Sequence, residues 1–198
     1  MGEVPRDTTE LFTIGHSNHE AGRFVELLRQ HRIEAVADVR SSPYSRHVPH
    51  FSSDALKRFL SEAGVSYVFL GKELGARPAG PGLVVDGRMS YERMAARPEF
   101  LLGIERVLQG AAKYRLALLC AEKDPTECHR MILVCRQLKG RVSGITHILA
   151  DGAVESNLEA ERRLYAALGL ARDLFRQEDE VIEQAYERRE AEIAFRPG

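Results

Sequence analysis

The run Leu118-Leu119-Cys120-Ala121-Glu122-Lys123-Asp124-Pro125-Thr126-Glu127-Cys128-His129-Arg130 constrains the fold of this 198-residue chain more than any other segment. Residues 115–120 read as a buried strand. The strand stops at a polar loop and a helix starts at once, with two cysteines, a histidine and an arginine near the junction. In an open α/β sheet, ligands bind outside the carboxyl ends of the strands. The run therefore predicts a site, without naming a substrate.

Short apolar runs alternate with helical patterns along the rest of the chain. Residues 11–15, 35–39, 65–70, 115–120 and 144–149 read as strands. After the first, Ser17 and Glu20 have capping-box spacing, with Phe24, Leu27, Leu28 and His31 at helical intervals behind them. A second helix carries Leu56, Phe59, Leu60 and Ala63. Further helices are expected over residues 91–97, 99–113 and 126–139, the first two separated at Pro98. Residues 71–88 are rich in Gly and Pro and show no periodicity; a loop of that length predicts a lid beside the site.

Strands alternating with helices imply right-handed crossovers. The expected fold class is α/β: a mostly parallel open sheet of about five strands with helices on both faces, plus C-terminal helices. Residues 1–152 are expected to form the α/β domain that carries the site. Residues 153–198 are expected to be a helical extension packed on it. There, Leu158, Leu164, Tyr165 and Leu168 form one apolar stripe, and Leu174, Val181, Ile182, Ala185 and Tyr186 form another. Such stripes suit helices packed on the body, or a helix that joins two copies as a homodimer.

Composition sets bounds. A formal net charge of -1 gives no general pull toward nucleic acid, although a local basic patch stays open. Three cysteines, an odd number, suggest free thiols in a reducing compartment. The first ten residues are polar and acidic, unlike a signal or transit peptide, and no stretch approaches the roughly 20 apolar residues that span a bilayer. The expectation is a cytoplasmic protein with no membrane partner.

The strand ends gather polar and titratable groups. The first leads into His16-Ser17-Asn18-His19, and the second into Asp38-Val39-Arg40-Ser41-Ser42-Pro43 with Ser45-Arg46-His47. The third delivers Gly71-Lys72-Glu73, and the fourth Cys120, Glu122, His129 and Arg130. Any loop is polar, so each is weak alone. Four strand ends coinciding fit a ligand crevice.

These residues also carry a resemblance. Thr13-Ile14-Gly15-His16-Ser17-Asn18, Asp38-Val39-Arg40-Ser41-Ser42-Pro43 with Ser45-Arg46, Leu70-Gly71 with Leu74-Gly75, and Cys120-Ala121-Glu122 with Cys128-His129-Arg130 stand in order. Together they resemble the domain-of-unknown-function 488 family over residues 11–152. The resemblance implies that the strand-end residues form the site and leaves the reaction open. The family tends to carry a further glycine where this chain has Ala76.

Cys128 lies near a helix start, where the macrodipole lowers a thiol pKa. Asp124, Pro125 and Glu127, however, have the spacing of N-cap, N1 and N3, a cap that would occupy the free N–H groups and add negative charge. Cys128, Ile132 and Cys135 share a helical face, so both cysteines are expected to be core residues, while Cys120 is better placed to line the crevice. The cysteines are eight and seven residues apart, without the paired spacing of a zinc site, so no metal or cofactor is expected.

An anionic ligand is the more economical reading. Arg40, Arg46, Lys72 and Arg130 are donors for phosphate or carboxylate, with Ser17, Asn18, Ser41 and Cys120 lining the same place. An alternative role for Arg40 is a structural ion pair with Asp38 or Glu122. His16 and His129 are acid/base candidates, because histidine titrates near neutral pH. Asp38 and Glu122 complete the catalytic set as orienting or proton-accepting groups. The first expected function is thus an enzyme, a hydrolase or transferase, acting on a phosphate-bearing or otherwise anionic small molecule or nucleotide. The alternative is a nucleotide- or nucleic-acid-binding module without chemistry, built on Arg40, Arg46, Lys57 and Arg58 with Tyr44 and Phe51 among them.

Overall fold

The structure, a computed structural model, describes residues 9–45, 47–170 and 176–197. Arg46 and Leu174, both singled out above, lie outside the described residues. The elements in chain order are β1 (Glu10–Gly15), α1 (Ala21–Gln30), β2 (Ala35–Asp38), α2 (Ser53–Glu62), β3 (Ser66–Phe69) and α3 (Gly71–Leu74). A short hairpin, β4 (Val84–Val85) and β5 (Arg88–Met89), precedes α4 (Tyr91–Ala95) and α5 (Pro98–Lys113). Then come β6 (Leu116–Cys120), a 3-10 turn (Pro125–Glu127), a π-helix (Arg130–Cys135) and α6 (Arg136–Leu138). β7 (Gly144–Ile148), β8 (Val154–Ser156), α7 (Asn157–Ala167) and α8 (Glu178–Ile193) close the chain.

The α/β expectation holds. Six strands form one sheet in the order β3-β2-β6-β1-β7-β8, all parallel except β8, which pairs antiparallel with β7. Strand residues alternate between two apolar layers, as a sheet covered on both faces requires. Phe12, Ile14, Val36, Ala117 and Leu119 face Phe24, Leu27 and Leu28 of α1 and Leu56 and Leu60 of α2. On the other face, Leu11, Ala35, Ala37, Leu116 and Leu118 belong to the same core as Phe100, Ile104 and Val107 of α5. Leu164 of α7 and Val181, Ile182 and Tyr186 of α8 belong to that second layer too.

Three local departures have physical causes. A sixth strand, β8, was not read from the sequence because its three residues, Val-Glu-Ser, are exposed or half-buried and carry no apolar run. The 71–88 segment contains α3 and the β4–β5 hairpin, each too short to show a period. Ser17 does not cap α1: its φ is +48°, and α1 begins at Ala21 without a side-chain cap. Among the described residues, no helix is long and apolar enough to cross a membrane.

The strand order places the crevice. After β2 the chain moves outward to β3, whereas after β6 it crosses β1 to β7, so the connections diverge between the adjacent strands β2 and β6. Such a switch point leaves a gap at the carboxyl ends of the strands. Residues 39–42 and 120–122 border it.

Candidate functional site

A cleft of about 480 Å³ opens at this switch point. One wall is Arg40, Ser41, Ser42 and Tyr44 after β2; the floor is Cys120, Ala121, Glu122 and His129. Ala76 and Arg77 border it from the loop after α3, whereas Lys72 of the same expected lid segment does not. Glu127 of the 3-10 turn, Tyr91 of α4, Ile193 at the end of α8 and Phe195 just past it complete the lining, so Glu127 is a second carboxylate beside Glu122. Another cavity, of about 520 Å³, lies between the β4–β5 hairpin and α8, and has no cysteine or histidine in its wall.

The wall is held by a buried network. Arg40 donates from Nε to Asp38 Oδ1 at 2.9 Å and from Nη2 to Asp38 Oδ2 at 2.6 Å. This is the Arg40–Asp38 pair that the sequence left as an alternative role. Tyr67 of β3 donates its hydroxyl to Asp38 Oδ2 at 2.9 Å, and burial pushes its phenol up to about 12. Arg40 Nη1 lies 3.1 Å from His16 Nε2. Burial, with the Arg40 charge beside it, pulls the His16 imidazole down to about 4, so the ring is neutral at pH 7. Its Nδ1 then donates to Ser17 O at 2.8 Å, and Nε2 accepts from Arg40. His16 thus fixes the guanidinium, while its own ring stacks on Phe51 with centroids 4.4 Å apart. The network uses three of the five guanidinium N–H groups of Arg40, a residue that lines the cleft. On the β3 side, backbones come close: a Cβ on Gly71 would stand 1.9 Å from Arg40 O.

The floor is built by an interrupted helix. Asp124 accepts from Thr126 N at 2.8 Å and Pro125 opens the turn, so the chain winds as a 3-10 turn of only three residues. Cys128 then takes an extended conformation, with φ of -133° and ψ of 138°. The Asp124 cap therefore serves the turn before Cys128 and not the helix after it. The helix after it starts on Cys128 itself: Met131 N and Ile132 N both donate to Cys128 O at 3.1 Å, and Arg130 N donates to Cys128 Sγ at 3.4 Å. Winding continues as a π-helix, a form frequent at functional sites.

Around Cys128 a second thiol, a carboxyl and an imidazole converge. Cys120 Sγ and Cys128 Sγ each lie 2.9 Å from Glu122 Oε2. His129 Nδ1 is 3.5 Å from Cys120 Sγ and 4.0 Å from Cys128 Sγ. His129 Nε2 lies 3.0 Å from Val39 O. A carbonyl only accepts, so Nε2 carries the hydrogen and Nδ1 faces the sulfurs. Both cysteines are buried, whereas Glu122 is exposed toward the cleft. Burial opposes ionisation of Cys128, yet the Cys120 thiol, the Arg130 charge and His129 outweigh it and draw Cys128 well below the ordinary thiol range. Burial and the neighbouring Cys128 sulfur push Cys120 well above it. Burial, with Cys128 beside it, also raises the Glu122 carboxyl.

Of the sequence candidates, Arg40, Ser41, Cys120, Glu122 and His129 line the cleft. His16 and Asp38 lie buried behind the wall. Arg130 is fully buried beneath the floor, its Nη1 and Nη2 donating to the carbonyls of Glu122 and Lys123 at 2.6 and 3.2 Å. Ser17, Asn18 and Lys72 are not among the lining residues. Cys135 is a core residue. His147 of β7 lies away from the cleft, bonded to Thr13 and Asn157. Sequence reasoning missed Tyr91, Ile193 and Phe195. The last two read only as parts of a distant helix, although Phe195 carries Arg77 over its ring at 4.5 Å.

A family model for a domain of unknown function, DUF488, matches residues 20–136, more than half of the chain. The chain belongs to that family. No curated protein and no solved structure matches it.

Proposed function

We propose that this protein is an enzyme acting on a small anionic molecule, a phosphate-bearing one or a nucleotide foremost, by hydrolysis or group transfer in the β2–β6 cleft. One observation carries the reading: the Arg40 guanidinium and the Cys120–Glu122–Cys128–His129 cluster serve a single cleft. Arg40 meets the anion with its remaining N–H groups, held in direction by Asp38 and His16, and Arg77 adds a second positive charge from the lid. The Ser41 and Ser42 hydroxyls supply further donors. The cluster on the floor supplies the reactive group, with the exposed Glu122 carboxyl as the acid/base group nearest the ligand. His16 then acts through Arg40 and is a positioning residue.

The nucleic-acid alternative loses ground on Phe51. That ring is fully buried and stacked on His16, which leaves Tyr44 as the exposed aromatic of the proposed basic-aromatic patch. Base stacking needs accessible rings.

A thermal-shift screen over nucleotides, phosphosugars, organic acids and inorganic phosphate tests the proposal, since a ligand of the native state raises its melting temperature by mass action. Selected anions are expected to stabilise the wild type and to lose most of that effect in Arg77→Ala, an exposed position whose loss leaves the core intact. Hits that stabilise Arg77→Ala and Cys120→Ala as much as wild type would place the ligand elsewhere.

A further inference from the structure

We propose that Cys120, Cys128 and His129, with Glu122 on the fourth side, hold a divalent transition metal, zinc foremost. The site stands on its own geometry; that the metal is the reactive group of the cleft rests on the function proposed above.

The donor set comes first. Two sulfurs, one imidazole nitrogen and one carboxylate oxygen suit zinc, and are foreign to magnesium or calcium, which take oxygen ligands. One ligand atom from each of the four residues lies within 4.8 Å of every other. Around a tetrahedral zinc with bonds of about 2.0–2.3 Å, ligand atoms stand roughly 3.3–3.8 Å apart. Four of the six separations are 2.9, 2.9, 3.5 and 4.0 Å, on either side of that range, and the remaining two lie within 4.8 Å, so side-chain shifts of roughly half an ångström to one ångström would complete the polyhedron.

The surroundings are those of a ligand shell. Val39 O takes the His129 Nε2 hydrogen, which fixes the tautomer that presents the Nδ1 lone pair to the two sulfurs. Arg130 N–H points at Cys128 Sγ, as it would at a thiolate. The Arg130 guanidinium is fully buried and bonds only to carbonyls through Nη1 and Nη2, while its Nε has no partner. A buried charge needs compensation. A divalent metal with two thiolates, a carboxylate and a neutral imidazole carries one net negative charge, and Arg130 neutralises it.

Burial divides the ligands. Cys120, Cys128 and His129 are buried, and Glu122 alone is exposed. Three fixed protein ligands with a displaceable fourth position mark a catalytic zinc site more than a structural one. An anion held by Arg40 would approach the metal from the Glu122 side. The cysteine spacing hid this site, because the ligands come from a strand end and from a helix start across an intervening turn.

The full chain, stripped by chelator under reducing conditions, is titrated with Co²⁺. A thiolate-to-cobalt charge-transfer band is expected, saturating at one equivalent, falling by about half in Cys120→Ser and in Cys128→Ser, and unchanged in Cys135→Ser. X-ray absorption on zinc-loaded wild type needs no variant, and is expected to show two sulfurs near 2.3 Å with nitrogen or oxygen at about 2.0–2.2 Å. Absence of the band, a band indifferent to Cys128→Ser, or an all-oxygen shell would overturn the metal site. Calorimetry with inorganic phosphate and a nucleotide on the stripped and on the cobalt-loaded protein separates the two readings: an anion bound without a cobalt band removes the metal alone, and a cobalt band with neither anion bound in either form removes the cleft function alone.

Discussion

The carbonyl oxygen of Glu122 stands 1.9 Å from the point where a Cβ on Gly15 would lie. This contact sets the floor of the cleft against the end of β1, where His16 N donates to Cys120 O and Ser17 N to Ala121 O, both at 2.9 Å. Gly15→Ala is expected to push the 121–123 loop out and move Glu122 from the two sulfurs. The cost is about 3 kcal/mol, the upper end for overpacking, because backbone rather than a flexible side chain must give way. Urea unfolding reads the loss. Stability within 0.5 kcal/mol of wild type would mean that the loop moves freely and the floor is not anchored there.

The Arg40–Asp38 pair is buried on both sides. Asp38→Asn leaves the guanidinium without its countercharge and is expected to cost about 3–5 kcal/mol, as broken buried pairs do. Tyr67→Phe removes one hydrogen bond to the same carboxylate and is expected to cost about 1.5–3 kcal/mol, the usual range for a bond to a charged group. The order of the two costs is the check: a larger loss for Tyr67→Phe than for Asp38→Asn in chemical denaturation would contradict the role given to Asp38.

Two histidines are held neutral. Burial, with Arg40 beside it, brings His16 to about 4, and burial, with Arg130 next in importance, brings His147 to about 3. The unfolded chain takes up protons near the ordinary histidine value of about 6.5, before the native state does. The stabilisation is therefore complete above that pH and is lost as pH falls from about 6.5 toward about 4, by ~1.4 kcal/mol per pH unit for each ring at most. Other groups titrate in the same range, so the difference between wild type and His147→Gln is the quantity to measure. Between pH 6.5 and 4.5 the variant should lose stability less steeply; parallel curves would show that His147 charges freely in the folded protein.

Where the sheet lies, and which strand ends face the cleft, was legible because buried parallel strands write themselves as short apolar runs. Residues 115–120 and 35–39 are such runs, and the residues that follow them do border the site. Less was legible where geometry depends on a single residue. Asp124, Pro125 and Glu127 have the spacing of a helix cap, but they close a 3-10 turn, and the extended Cys128 that follows starts the real helix. Nothing in the spacing distinguishes the two. Phe51 read as an accessible aromatic because its neighbours are basic, whereas its burial comes from α1 and His16, far away in sequence. Phe195 is tied beside the cleft by Met89 N, which donates to its carbonyl, and by Arg77 over its ring. Such contacts are tertiary and leave no local signature.

The central claim is that an anion binds directly above the Cys120–Glu122–His129 floor. The rate at which iodoacetamide modifies the Cys120 and Cys128 thiols, the latter held toward the thiolate, read by peptide mass spectrometry on metal-stripped protein with and without a saturating hit from the thermal-shift screen, tests it most directly. The ligand is expected to slow modification of this thiol pair at least tenfold in wild type, and to lose that protection in Arg77→Ala at the same ligand concentration. Equal rates with and without saturating ligand would put the anion outside the cleft and contradict the account.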